Sequence, residues 1–270
     1  MRLTHLSLGS SLLLGLLAPA CAFAADAIDT KRLSPKSVDF SFEGPFGTYD
    51  RGALQRGYQV YKEVCAACHA VNHLAFHNLD EAGGPEFTEA QAKALAAAAH
   101  VPAGPNDKGE TADDKGTPLM RPATLADHFP NPFPNEQAAR ANNGSALPPD
   151  LSMVVKAREG GPQYVYSILT GFGGTPPHGF KVTDGKYYNP YFEGWNISMP
   201  PPLKDNSVTY SDGTKATLDQ EARDVVTFLT WAGEPKMEER KRLGFGVMIF
   251  LIGLAGILFA AYRRVWKDAH

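Results

Sequence analysis

Two cysteines and a histidine stand in the pattern Cys65-Ala66-Ala67-Cys68-His69. C-x-x-C-H is the spacing through which a chain fixes a porphyrin: each thiol adds across one vinyl group. On a helix end, that spacing sets both sulfurs along one edge of the ring and the next residue beneath the iron. Other uses of paired cysteines fit less well. A thioredoxin-like pair needs a βαβ setting, which the surrounding pattern lacks. A zinc site needs four ligands, and the chain has one further cysteine, Cys21. We therefore expect one haem c, bound through two thioethers at Cys65 and Cys68. His69 is then the proximal ligand, with its second ring nitrogen held by a backbone carbonyl.

A sixth ligand must come from elsewhere in the chain. Met153 falls in an expected amphipathic helix (Asp150 to Ala157), where methionine usually fills core. Met237 adjoins an apolar stretch that contains Met248, and Met120 stands at a loop end. Met199 lies in Ile197-Ser198-Met199-Pro200-Pro201-Pro202, a stiff extended segment suited to holding a weak thioether bond. Met120 and Met199 are the open choices on these grounds. His73, His77, His100, His128 and His178 read as surface or structural residues. A His/Met iron has no open position for a substrate, so it transfers electrons, at a raised potential.

The elements that would position these groups are legible in outline. Asp50 can cap a helix running to Val64, with Leu54, Tyr58, Tyr61 and Cys65 on one face. Residues 25–48 read as an extended lead-in. Glu89 to His100 is alanine-rich and helical, and Val101 to Pro118 a surface loop. Pro122 to Pro149 should wrap a surface. Gln163 to Thr170 is a short helix candidate. Asp184-Gly185 and Asp212-Gly213 are hairpin signals. Thr217 to Gln220 is a capping box for a helix that ends near Ala232-Gly233. Leu218, Ala222, Val225, Val226 and Leu229 share a face of that helix, and Pro235 blocks its continuation.

Two segments stand apart from the core. Arg2, the apolar run from Leu6 to Leu17, and Ala22-Phe23-Ala24 read as a secretory signal peptide over residues 1–24, cleaved after Ala24. The rival, a lipoprotein signal at Cys21, is poorly matched by Ala18-Pro19-Ala20. Leu243 to Tyr262 has no charged residue and is long enough for a bilayer core of ~30 Å. It is expected to be a transmembrane anchor, with residues 25–237 an exported haem domain and 263–270 a short cytoplasmic tail. Basic residues flank both ends, so charge orients it poorly; the signal peptide and haem chemistry set the direction. An exported chain with only Cys65 and Cys68 left has no disulfide framework.

The chain has 270 residues, 43% of them hydrophobic and 20% charged, which calls for a packed core. Setting aside Arg2 and the six basic and three acidic residues from Glu238 on, residues 25–237 carry 19 basic and 26 acidic side chains, a balance of −7. That balance repels nucleic acid and suits a basic partner, or serves surface solubility.

The chain resembles the cytochrome c1 family, the haem subunits of quinol–cytochrome c reductase (bc1) complexes. The resemblance rests on Arg56-Gly57-Tyr58-Gln59-Val60-Tyr61 leading to Cys65; Ala139 to Gly144 through Leu147-Pro148-Pro149-Asp150-Leu151-Ser152; Ala157-Arg158-Glu159-Gly160-Gly161; Tyr164-Val165-Tyr166-Ser167; and Tyr188-Asn189-Pro190-Tyr191-Phe192 leading to Met199. It runs from about residue 38 to the end and is weakest between Leu79 and Met120, an insertion of bacterial type. The family implies a mainly α, class I cytochrome c-like domain with long loop insertions and short β-hairpins, plus one C-terminal transmembrane helix. The helices started by Asp50 and Thr217 should cross near the haem edge. The resemblance also implies Met199 as axial ligand, Arg158 and Tyr164 at the haem propionates, and Asn143 in a segment lining the pocket, where Asn142 reads equally as a tight turn. Unlike some bacterial relatives, the chain has no second cysteine pair, so packing and the proline run must steady the methionine side.

By the same resemblance the chain is a one-electron carrier and no enzyme on its own. It takes electrons from a Rieske iron–sulfur protein and passes them to a cytochrome c. Cytochrome b, the lipid bilayer and a dimeric complex are its further partners, and a bacterial inner membrane, haem domain outward, is its place. Two rivals are a haem subunit of a terminal oxidase or another reductase, and a peroxidase with an open iron.

Overall fold

The computed structural model describes residues 30–268, so the expected signal peptide lies outside the described residues. The fold is mainly helical. Helix α1 (Arg51–Glu63) starts as expected, its N-cap Asp50 accepting the Ala53 amide at 2.9 Å. Helix α2 (Glu89–Ala97) follows, then a two-stranded ribbon of β1 (His100–Pro102) against β2 (Met120–Pro122). It pairs antiparallel with His100 opposite Pro122. Short helices α3 (Glu136–Asn142) and α4 (Gly161–Leu169) lead to a second ribbon, β3 (Tyr187–Tyr188) against β4 (Asn196–Ile197). Helices α5 (Leu218–Gly233) and α6 (Met237–Val265) complete the order.

The core is built where α1 crosses α5. Gly57 makes the crossing close: a Cβ there would fall 2.0 Å from the Asp224 carbonyl oxygen and 2.7 Å from the Phe228 Cβ. Tyr58 and Tyr61 of α1 then pack on Phe228, each with ring centroids 5.7 Å apart. Phe129 closes the cluster against Tyr58, Tyr61 and Phe76. Leu54, Val60, Val225, Val226 and Phe228 are fully buried, each worth about 1.5–3 kcal/mol in removal from water. A charge pair spans the same crossing. Arg56 Nε and Nη2 donate to the Asp224 carboxylate at 2.9 and 3.1 Å. Arg56 also meets Asp212 at 2.9 Å, so the buried carboxylate is paired rather than orphaned.

Several local expectations need correction. Asp150 to Ala157 is a run of turns, closed by bonds such as Ala157 N to Met153 O at 2.9 Å, with no helix. Prolines just upstream and Gly160-Gly161 just downstream leave too short a run to propagate one. Met153 is consequently 40% exposed and fills no core. Neither Asp-Gly pair forms a hairpin. Asp184-Gly185 turns the chain through a Lys186 N to Thr183 O bond, but β3 pairs with β4 instead. Asp212-Gly213 is a turn whose Asp carboxylate is taken by Arg56 and the Thr214 amide. Val101 to Pro118 is a loop apart from its first two residues, which belong to β1, and Ala112 forms an isolated bridge with Pro118 within it. Helix α3, unexpected in a proline-rich stretch, is capped by Asn135, which accepts the Ala138 amide at 2.8 Å. The Thr217 capping box is half formed. Its hydroxyl accepts the Gln220 amide at 3.2 Å, while the Gln220 side chain turns to Asp224.

Helix α6 is 29 residues long, with a mean hydropathy of 2.5 over its most apolar window and none of that window buried. It is long and apolar enough to cross a membrane.

Candidate functional site

Helix α1 delivers the two cysteines. It ends at Glu63, and Cys65–Ala67 forms a single 3₁₀ turn that tightens the exit. The Cys68 and His69 amides both donate to the Cys65 carbonyl, at 3.1 and 2.9 Å. One turn therefore carries both thiols and the imidazole. Both cysteines are free of any disulfide. Burial pushes the Cys65 thiol up to about 12, and the neighbouring Cys68 adds to the shift. A thiol held neutral in this way is a poor nucleophile and a poor redox catalyst. Among the described residues no group of three or more His, Cys, Asp or Glu side chains could hold a metal ion.

The imidazole is oriented from outside the motif. His69 Nδ1 lies 2.8 Å from the Pro149 carbonyl oxygen, the backbone acceptor the sequence left unnamed. An N–H donated there leaves Nε2 as the ring's lone pair. Burial holds the His69 pKa below its ordinary value, which favours the neutral ring, and the Pro149 carbonyl opposes this. The Pro149 carbonyl is itself held in place. Leu151 N donates to Ala70 O at 2.8 Å, Asn72 N to the Asp150 carboxylate at 3.0 Å, and His73 N to the Ser152 hydroxyl at 3.1 Å. Leu147 to Ser152 is thus a strap zipped along the residues just after His69. Sequence reasoning noted this stretch for its resemblance but gave it no structural role, and expected a helix to start at its Asp150.

Met199 stands two residues beyond β4, half-buried. What steadies that side is aromatic packing. Trp195 meets Phe180 and Tyr188 with centroids 5.3 and 6.0 Å apart. Its indole N–H donates to Lys31 O at 3.1 Å. Trp195 sits at φ 56°, a strained setting for a bulky residue. The fully buried Asn189 ties the end of α4 to this strand: its amide donates to Ile168 O at 2.8 Å, and its side-chain oxygen accepts the Tyr191 amide at 3.1 Å. Trp195 and Asn189 were not singled out beforehand as functional residues. Leu203, after the three prolines, is buried again.

Arg158 lies within electrostatic reach of Tyr164. Burial pushes the Tyr164 phenol up, while Arg158 and Arg32 pull it back. The Arg32 guanidinium stacks on the Tyr164 ring at 5.2 Å and pairs with Glu159 at 2.7 Å. Arg158 is exposed and donates to Ala157 O at 3.3 Å. Asn143 ends α3, donating to the Ala139 carbonyl at 2.7 Å, and Asn142 likewise bonds Ala138. Both asparagines thus serve the helix end. Met120 is exposed on β2, and His73, His77, His100, His128 and His178 are all exposed. Met237, by contrast, is buried at the root of α6.

Residues 40–269 match the Cytochrome C1 family. The chain is 50% identical over 254 residues to a cytochrome b/c1 of Bradyrhizobium diazoefficiens, covering 87% of this chain but 36% of that protein. It is 46% identical to a cytochrome c1 of Rhodospirillum rubrum over 85% of this chain and 86% of the relative. It is 45% identical to a mitochondrial cytochrome c1 haem protein of Arabidopsis thaliana, over 93% of this chain and 78% of the relative.

Proposed function

The chain belongs to the cytochrome c1 family, and from that premise we propose that it is the one-electron carrier of a quinol–cytochrome c reductase complex. In this reading it accepts electrons from a Rieske iron–sulfur protein and passes them to a cytochrome c. It sits beside cytochrome b in a dimeric complex of a bacterial inner membrane. The haem domain faces the periplasm, and the residues after Tyr262 lie on the cytoplasmic side.

The observation that carries the reading is the fit of the donor set to a c-type haem. Two free thiols and an imidazole share one turn, and the imidazole is fixed through Nδ1 so that Nε2 is available. The apolar side chains of Leu147 and Met153 stand exposed on or beside the strap that holds it, as a flat apolar macrocycle would require. When bound, haem c supplies a reversible Fe(III)/Fe(II) couple. The chain's own residues do the rest. Cys65 and Cys68 would hold the ring, and His69 and Met199 would ligate the iron, the neutral thioether of Met199 favouring the reduced state. Arg158 and Tyr164 would meet the propionates, and Asn143 would line the pocket. No general acid, base or nucleophile is involved. A net balance of −7 over residues 25–237 favours a basic acceptor.

The test is a redox titration of the intact membrane complex, with subunits identified by mass. A single one-electron wave from this chain, co-purifying with cytochrome b and reduced by quinol, is the expected result. Purification with a terminal oxidase and without cytochrome b would replace this reading with the rival one.

A further inference from the structure

Phe46 is a large aromatic side chain left 77% exposed, yet its loop is tightly made. Thr48 N donates to Ser41 O at 3.0 Å, and Glu43 N to Phe40 O at 3.1 Å. Gly47 is required by closeness: a Cβ there would fall 2.0 Å from the Glu43 carbonyl oxygen. Lys241 of α6 donates to Phe42 O at 2.7 Å and to Gly47 O at 3.0 Å, which ties both ends of the turn to the helix. So held, the Phe46 ring stands edge-on to Phe245 of α6, with centroids 5.8 Å apart.

Helix α6 gives the depth of that contact. Its charge-free stretch begins at Leu243, directly after Arg240, Lys241 and Arg242. Phe245 is two residues inside, ~3 Å along the axis. At the other end Tyr262 and Trp266 form a second aromatic pair, centroids 6.3 Å apart, both exposed and flanking Arg263 and Arg264. The rise from Phe245 to these two residues is about 25–32 Å, which brackets a hydrocarbon core of ~30 Å. The two aromatic pairs therefore mark the two planes where acyl chains meet headgroups, the depth that aromatic rings prefer.

We infer that the Gly44 to Gly47 loop is a second membrane contact, in which Phe46 enters the headgroup–acyl boundary of the leaflet on the haem-domain side with phospholipid as its partner. The inference rests on the reading of α6 as a membrane span. It gives the exported domain two fixed points. The first is the root of α6, where Arg51 grips Glu238 with two bonds of 2.8 Å and Met237 is buried in the core. The second is Phe46, on a separate segment beside the helix. Together they stop the domain from swinging about its anchor and so fix the distances over which electrons must pass.

The test replaces Phe46 by p-benzoylphenylalanine in the full chain in native membranes, with Phe250 replaced in a parallel sample. Both samples are irradiated and the adducts weighed. A phospholipid adduct at both positions is the expected result. Lipid at position 250 with no adduct at 46, or with a second polypeptide captured at 46, overturns the loop contact alone. No lipid at position 250 removes the membrane span and the inference with it.

Discussion

In the proposed reading Met199 and Arg158 both act on one property, the potential, by different routes. A thioether donates no charge to the iron, so it favours the reduced form. Met199→Leu should lower the midpoint potential on the order of hundreds of millivolts, within the ~0.8 V that axial ligands span, or open the iron to added carbon monoxide. An unchanged potential and a closed iron would assign the sixth position to another residue. Arg158 is exposed, so water screens its charge. Arg158→Ala should therefore lower the midpoint only on the order of tens of millivolts, read in the same titration; no movement would remove it from the propionates. The attachment motif was legible in the sequence because its chemistry lies within five consecutive residues. The acceptor for the His69 ring was not, because Pro149 lies 80 residues away and acts through a backbone oxygen that any residue carries.

At the scale of elements, the crossing of α1 and α5 has little slack. Gly57→Ala would drive a Cβ into the Asp224 carbonyl, and overpacking of this kind costs about 1–3 kcal/mol. Thermal unfolding should show that loss, and an unshifted midpoint would mean that the helices do not approach so closely. The turn that follows β2, Thr124 to Asp127, should respond to pH. The Arg121 guanidinium and the Thr124 amide hold the Asp127 carboxyl far below the usual range. A depressed acid stabilises the fold above its ordinary pKa of 3.8, and that contribution is lost progressively as pH falls below it. Asp127→Asn should flatten the acid limb of a stability-versus-pH curve, and an identical limb would place the acid sensitivity elsewhere. Helices with an amphipathic face and a cap were legible: α1 and α5 start at Asp50 and Thr217 as their residues indicate. The two Asp-Gly pairs misled because turn chemistry fixes a bend but not its partners. The flanking residues found better bonds, Tyr188 with Asn196 and Asp212 with Arg56.

For the whole molecule, a domain packed around the α1–α5 crossing presents one turn of cysteines and histidine on one side and passes directly into α6 on another. In the proposed reading, the work of the chain is to hold a redox centre at a set place and potential. That account stands or falls on the covalent bond between chain and cofactor. Acid–acetone extraction of the purified chain, followed by mass analysis of the peptide spanning Cys65 to His69, tests it directly. Pigment that stays with the polypeptide, and a peptide heavier by one haem with both sulfurs closed to alkylation, is the predicted result. Pigment that passes into the acetone, leaving Cys65 and Cys68 free to alkylate, would contradict it.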